Sequence, residues 1–381
     1  MESAKTNFAV LFESAAFLRH FENLPDHRQK GKVAYPLDEI LLLCLLAVIA
    51  GADSFTDIAR FGRSKINLLR RFRPFEHGTP AHDHLGDIFA TLDAEAFQRC
   101  FAAWVAEATG CPPEVVAIDG KTSRRSYQKK DAKAPIHMVS AFAARQRLVL
   151  GQIKVNEKSN EITAIPALID MMDIEGAVIT IDAMGCQRAI AELILKKKGD
   201  YIFSLKGNQG MLCDDVKLLV AEQQATGFKD AKVTRHESVD GDHGRIETRR
   251  TTVIHDVKWL QERHGWPGLR SVIVVESTRE FRGKTERETR LYISSLDLAA
   301  DVAAQMVRDH WTMENNLHWV MDMVFRDDEC RVRKDHAPAN FTTIEHAAFN
   351  FPKRAPGKDS MRGKRKRAGW EDDFLYSIVR P

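Results

Sequence analysis

The sequence predicts a mixed α/β fold: a core sheet with helices, an all-helical region before it, and a β-rich segment set into it. Three observations carry this expectation. Val115-Val116-Ala117-Ile118 and Val178-Ile179-Thr180-Ile181 are short runs of small and β-branched apolar residues, the signature of buried strands. Around them the chain reads as strand, hairpin, helix, strand, helix, strand, the order of a sheet covered by helices. Residues 8 to about 110, by contrast, carry helix start and stop signals throughout.

Each buried strand ends in an acid, Asp119 and Asp182, followed by a glycine or small residues. A carboxylate is costly to bury without a partner, so an acid at the end of an apolar strand faces water or a cation. Taken singly, either Asp could simply cap the next turn or helix. The repeated pattern favours a pair of carboxylates at one edge of the sheet.

Within the N-terminal region, Pro36 and Asp38 open a helix through Ala50 that Gly51 closes. Ser54 is an N-cap for Phe55–Phe61, Gly62 follows, and Ser64 opens a basic helix over Lys65–Phe72 that Pro74 ends. Two short helices, a glycine turn and a basic second helix match a DNA-reading unit, and equally a bundle with a basic outer face. A further helix, His84–Ala108, ends at Gly110, and Cys111-Pro112-Pro113 marks a boundary. The expected domains are therefore residues 1–111 (helical), 112–215 (first part of the core), 216–297 (β-rich), 298–350 (a long late helix) and 351–381 (basic tail).

In the core, Ile136–Ala143 and Leu148–Val155 form a hairpin, Ile162–Met172 and Gln187–Lys198 are helices, and Tyr201–Leu205 is a third apolar strand ending in Lys206-Gly207-Asn208-Gln209. Alternating segments at Lys232–Val239, Arg245–Ile254, Ser271–Ser277 and Thr289–Ser294 make the β-rich part. There His243, Arg245, Glu247 and Arg249 share one strand face, either a solvated face or a grip on phosphate. The late helix runs from Ala299 to about Phe325, and His310, Glu314 and His318, four apart, share a face. That stripe reads as a surface ladder, or weakly as a zinc site, since His-Glu-x-x-His is absent. In the tail, Trp370, Phe374, Leu375, Tyr376 and Ile378 form a patch expected to dock on the core.

Composition is that of a soluble cytoplasmic protein. Hydrophobic residues are 44% and charged residues 29% of 381, and the apolar run Ile40–Ala52 is too short to span a bilayer. Met1–Lys5 carries charge without a signal-type apolar core, so export is not expected. Six scattered cysteines without Cys-x-x-Cys spacing read as free thiols. Net charge is only +3, but basic residues cluster at Arg60–Arg73, Gly120–Lys133 and Lys353–Arg367. Three such patches fit a polyanion-binding surface better than chance solvated faces. Two strand-end acids and an acid on a late helix would repel one another unless cations lie between them, and magnesium favours such oxygens. Two ions about 3.5–4 Å apart suit phosphodiester chemistry.

Seven stretches carry a resemblance that covers nearly the whole chain: Phe21-Glu22-Asn23-Leu24-Pro25-Asp26-His27-Arg28, Ile118-Asp119-Gly120-Lys121-Thr122, Lys158-Ser159-Asn160-Glu161-Ile162, Thr180-Ile181-Asp182-Ala183-Met184-Gly185-Cys186-Gln187, Leu205-Lys206-Gly207-Asn208-Gln209, His243-Gly244-Arg245-Ile246-Glu247-Thr248-Arg249 and His310 through Trp319. The sequence resembles the DDE transposases of bacterial insertion sequences, in the ISAs-type or H-repeat-associated (Rhs-linked) group. The resemblance implies an RNase H-like core with a β-rich insertion between the second and third acids. It carries over Asp119, Asp182 and Glu314 as catalytic metal ligands, with Asp322 in reserve. The pattern that usually flanks the third acid is replaced here by Val307, His310 and Met321, so Arg308, His310 or His318 substitutes in gripping DNA. Expected DNA contacts are Lys121, Arg124, Arg125, Lys206, Asn208, Gln209, His243, Arg245, Arg249, Arg308, His310, Trp311, Asn315 and His318. The N-terminal domain is expected to bind the element's ends. The implied cofactor is Mg2+, two ions, with Mn2+ as a substitute. The implied partner is DNA, terminal inverted repeats and target, bound by a homodimer at the nucleoid. The implied activity is cleavage at element ends and 3′-hydroxyl strand transfer. A nuclease without strand transfer and an inactive DNA-binding remnant are the alternatives.

Overall fold

The computed structural model describes residues 14–110, 114–127, 134–155, 159–229, 231–242, 245–281, 283–355 and 357–379. A nine-stranded sheet in the order β3-β2-β1-β4-β5-β9-β8-β7-β6 organises it. β1 (Val115–Thr122) is antiparallel to β2 (His137–Ala143), and β2 to β3 (Leu148–Lys154). On its other side β1 runs parallel to β4 (Val178–Ile181), and β4 to β5 (Asp200–Leu205). Parallel neighbours need crossovers, which the helices Glu161–Asp170 and Arg188–Lys196 supply. These five strands form the RNase H-like core. Residues 115–118 and 178–181 are buried throughout, which is why both strands read as unbroken apolar runs. Because Ile118 pairs with Ile181 in parallel register, Asp119 and Asp182 follow at the same end of that pair; Asp182 ends its strand as expected, but β1 runs on to Thr122 against β2, so Asp119, opposite Ser140, lies within its strand.

The β-rich segment adds to this sheet instead of forming one of its own. β6 (Val233–Asp242), β7 (Arg245–Ile254), β8 (Ser271–Phe281) and β9 (Lys284–Ser294) follow one another by antiparallel pairing, and β9 joins β5 from Ile202↔Ser294 to Leu205↔Leu291. β8 starts buried and ends exposed while β9 does the reverse, so this hairpin projects past the core.

The helical region departs from expectation in three places. Ser54 caps as predicted, accepting from Asp57 N at 3.2 Å, but its helix runs on through Gly62 to Ser64. Gly62 is tolerated there because Thr79 occupies the space of a side chain: an added Cβ would lie 2.6 Å from Thr79 Oγ1. The basic helix is a single turn, Ile66–Leu69, with Leu68 and Leu69 buried and Pro74 unfavourable to helical geometry in the residue before it. One turn is too short for a recognition helix, so the bundle reading replaces the helix-turn-helix reading. The helix expected over His84–Ala108 is two, His82–Thr91 and Ala94–Thr109; Leu92 is extended and Asp93 caps the second by accepting from Ala96 N at 2.7 Å.

Sheet and helices share one core because the helix Ala337–Asn350, buried at all 14 positions, lies between them. Asn350 bonds both Val149 N and Val149 O at 2.9 Å, while Asn340 donates to Phe89 O and Leu92 O. The tail forms the helices Met361–Trp370 and Asp372–Val379. Phe374, Leu375 and Ile378 are buried as expected, but Trp370, the last residue of its helix, is 75% exposed. Two of the tail's basic residues serve the core instead of the surface: Lys364 donates to Pro352 O and Ala355 O, and Arg365 to Val48 O and Val324 O. No described helix is long and apolar enough to cross a membrane. The five described cysteines are free thiols; Cys111 lies outside the described residues.

Candidate active site

Asp119 sits where β1 leaves the core, half-buried, with Oδ1 accepting from Gly120 N at 2.9 Å. Asp182 emerges one strand away, and its Oδ1 accepts from Met184 N at 3.0 Å and Gly185 N at 3.2 Å. Asp182 is therefore a turn former as well as a strand-end acid. Asn208 and Gln209, expected on DNA, brace that turn from the 3-10 turn Gly207–Gln209 after β5, donating to Ala183 O at 2.5 Å and Cys186 O at 2.9 Å.

The late helix is α-helical over Ala300–Met313 and again at 319–320. It widens into two π-helical stretches, Glu314–His318 and Met321–Phe325, and stops at Arg326 in the left-handed region. Such wide turns concentrate at functional sites. Here they carry Glu314 and His318 to the end of β1. Oxygens of Asp119 and Glu314 and a nitrogen of His318 lie within 4.8 Å of one another. His318 Nδ1 is 3.1 Å from Glu314 Oε2 and 3.8 Å from Asp119 Oδ2, and its buried Nε2 has no hydrogen-bond partner.

Burial pushes the Asp119 carboxyl up to about 6; His318 and the Gly120 amide oppose the shift, while Glu161 and Asp182 add to it. Asp182 thus acts on Asp119 although it stands outside the tight cluster. Carboxylates that hold one another's charge in check form an oxygen-rich donor set suited to a hard divalent cation.

His310 does not join this group. Its Nδ1 lies 3.0 Å from Thr180 Oγ1, and burial pushes its pKa down to about 4, so the ring is neutral and faces β4, not a phosphate. With His310 turned away, the His310–Glu314–His318 zinc arrangement is not assembled. Lys121 is also turned inward. Its Nζ lies 2.6 Å from both Asp322 Oδ1 and Asp327 Oδ2, and 3.7 Å from Asp328 Oδ1. Burial alone would lower its pKa, but these acids outweigh burial and raise it. Asp322, the reserve ligand, is thereby committed to Lys121. Arg124, Arg125 and Lys206 remain exposed.

The β7 face expected to be solvated is partly internal. Glu247 is buried, with Arg245 and Arg249 at 2.8 Å and Arg279 at 3.0 Å; His243 lies outside the described residues. Arg249 and Arg308 share Asp240 at 2.8 and 2.6 Å. Between the outer strands and the late helix opens a cleft of about 600 Å³, lined by Arg249, Arg279, Arg290, Arg308, Trp311 and Asn315. The Arg290 guanidinium stacks 4.4 Å over the half-exposed Trp311 ring. Four of the expected DNA contacts, Arg249, Arg308, Trp311 and Asn315, thus meet in one place.

Comparison with known proteins identifies the family. The family described as "Transposase DDE domain" matches residues 110–351, which hold Asp119, Asp182, Glu314 and every strand of the sheet. The chain belongs to the DDE transposase family. The family described as "DDE_Tnp_1-associated" matches residues 18–105, the helical region. Two relatives from Escherichia coli (strain K12), "Putative protein YbfL" and "H repeat-associated putative transposase YhhI", are each 38% identical over 378 residues, covering 96% of this chain and 98% of theirs. A cryo-EM structure of a piggyBac transposase synaptic complex with hairpin DNA matches at a TM-score of 0.41 and 10% identity, over 98% of this chain and 79% of that one. DDE transposases are DNA-processing enzymes that use divalent metal, and the acid groups of this member could hold it.

Proposed function

We propose that this DDE transposase cuts DNA at the ends of an insertion sequence and joins the freed 3′-hydroxyl to target DNA, using Mg2+ held by Asp119, Asp182 and Glu314. The observation that carries this reading is the meeting of Asp119 and Glu314, far apart in the chain, within 4.8 Å around His318. When bound, two such ions supply an activated water or hydroxyl and neutralise the leaving oxygen of a phosphodiester. Mn2+ is the expected substitute.

The chain's own groups prepare this chemistry. Asp119, whose proton is held up to about pH 6, gives it up to bind the cation. The Met184 and Gly185 amides hold the Asp182 carboxylate in place. His318 holds Glu314 through Nδ1 at 3.1 Å and stands 3.8 Å from Asp119. Arg249, Arg308, Asn315 and Trp311 receive the DNA strand in the cleft, and Arg124, Arg125 and Lys206 extend the basic rim at the strand ends. Joining requires both element ends at once, which fits a homodimer on DNA acting in the cytoplasm at the nucleoid.

The test is incubation of the wild type and Asp119→Asn with element-end DNA, target DNA and Mg2+. The expected result is nicking and joining by the wild type alone. If the wild type does no better than Asp119→Asn, the reading is lost. Cutting without joining replaces it with a nuclease, and absence of both activities with a DNA-binding remnant.

A further inference from the structure

β6 ends the nine-stranded sheet, and among the described residues no strand pairs with its outer side. It is a long and regular edge: Val233–Asp242 runs against β7 in unbroken register, from Val233↔Ile254 to Asp242↔Arg245. Free backbone groups on such an edge invite another strand, and proteins usually guard them with proline, lysine or a bulge. β6 has none of the three.

The hydrogen-bond pattern shows which groups are free. Lys232 O accepts from His255 N at 3.0 Å, one step before Val233 meets Ile254. Bonded and non-bonded pairs alternate in an antiparallel ladder, so the even-numbered residues of β6 turn their N–H and C=O towards β7. Val233, Arg235, Glu237, Val239 and Gly241 turn theirs outward. The side chains of these residues share the face away from the late helix, because Asp240 meets Arg308 on the other face and Ser238 lines the cleft there. On that outer face Arg250 Nε lies 2.5 Å from Glu237 Oε2, the Arg235 guanidinium lies 4.6 Å over the Phe228 ring, and Val239 is 63% exposed.

The segment Val233-Thr234-Arg235-His236-Glu237-Ser238-Val239 complements itself. Laid antiparallel against a second copy with His236 on the two-fold axis, it sets Val233 against Val239, Thr234 against Ser238 and Arg235 against Glu237, each twice. The outward backbone groups then meet one another, as a bonded pair requires. An axis between two residues would face outward groups with inward ones. An axis at Arg235 or at Glu237 would set that charge directly against its own kind, which destabilises a pair. Axes further along lose the Arg235–Glu237 pairs. Within one chain, Glu276, Arg250 and Glu237 already stand in a cross-strand row of acid, base, acid. The partner's Arg235 continues that alternation.

We propose that β6 is the contact between two copies of this chain, paired antiparallel edge to edge about His236, so that the two sheets become one. This rests on the homodimer reading given above and names its surface. Opposed residues of an antiparallel pair point to the same face, so both late helices and both clefts lie on one side of the joined sheet.

The experiment is sedimentation velocity of the full-length chain without DNA, over a range of micromolar concentrations, with thermal midpoints to show that each variant is folded. The wild type is expected to be a dimer. Arg235→Glu and Glu237→Arg each set like charges opposite one another twice and should weaken self-association about tenfold or more. The double variant restores opposite charges and should recover most of it. A second measurement does not depend on charge. His236→Cys puts two cysteines at a non-bonded pair with Cα atoms about 4.5 Å apart, so mild oxidation should link the copies beyond the wild-type background. Ser238→Cys, four residues and so roughly 13 Å from its own equivalent, should not link. A dimer left unchanged by both charge variants, or no link at His236→Cys, overturns the proposal and leaves the homodimer reading standing. A monomeric wild type also overturns it, and the homodimer reading then falls only if the chain is monomeric on element-end DNA as well.

Discussion

Two acid clusters lie side by side at the end of β1, and their difference is instructive. In one, Asp119 and Glu314 gather around His318, and among the described residues the ion pairs of both acids are with His318. In the other, Asp322, Asp327 and Asp328 surround the ammonium of Lys121, and Ser123 Oγ donates to Asp327 Oδ1 at 2.9 Å. Two residues of β1, separated by Gly120, thus enter opposite situations. The Lys121 ammonium, with Arg124 3.3 Å from Asp328, offsets part of the charge of these three acids, and the pairing ties β1 to the end of the late helix. The Asp119 cluster is left with its own repulsion, and burial holds that carboxyl up to about 6. An acid group with a built-in cation is a fastening, whereas one without is ready for an external cation.

The contrast can be broken by experiment, most severely at Asp119. Asp119→Asn is expected to lower Mg2+-dependent nicking by at least about 100-fold, since charge stabilisation of several kcal/mol is removed. Its thermal midpoint should hold or rise, because a repelled carboxylate is gone. Nicking within tenfold of wild type would mean that the cluster does no chemistry. Lys121→Met should do the reverse and destabilise the fold by about 3 kcal/mol in urea unfolding, since it strands buried acids without their counter-charge. A loss below about 1 kcal/mol would show that water already serves those acids.

The third expectation concerns pH. Between about pH 4 and 6 folded Asp119 still holds the proton that an ordinary carboxyl, at 3.8, has released. The folded state therefore binds more protons in that window, and the stability of the metal-free chain falls as pH rises through it. Mg2+ at pH 7 should restore the loss. Midpoints measured against pH in wild type and Asp119→Asn check this, and equal slopes would refute it. The smallest effect serves as a control away from both clusters. Arg290→Leu frees Trp311 from a contact of about 0.5–1 kcal/mol, so DNA affinity should fall less than tenfold in a titration. A larger loss would make Arg290 a direct phosphate contact.

The sequence made the sheet end legible and hid its neighbours. Asp119 and Asp182 could be read because a strand buried on both faces announces itself as an unbroken apolar run, and the acid marks its exit. Lys121 read as one more member of a basic run, since its three acid partners lie some 200 residues downstream and no local pattern records them. His310 shared a helical stripe with Glu314, but the partner that claims it, Thr180, sits on a strand. The recognition helix failed for a similar reason: basic residues suggested an outer face, whereas burial of Leu68 and Leu69 settled the path.

The late helix changes gauge midway, and that has a consequence for its phase. Glu314 belongs to one cluster and Asp322 to the other, and both must face the end of β1. Along an ideal α-helix, eight residues overshoot two full turns by roughly 80°. A coil that turns less per residue brings the two acids closer to the same bearing. Deleting one residue within Met321–Phe325 would tighten the coil, swing the segment beyond it out of step, and unfasten Asp327 from Lys121 while Glu314 stayed in place. The wide turns act as a vernier between the reactive and the structural end of a single helix.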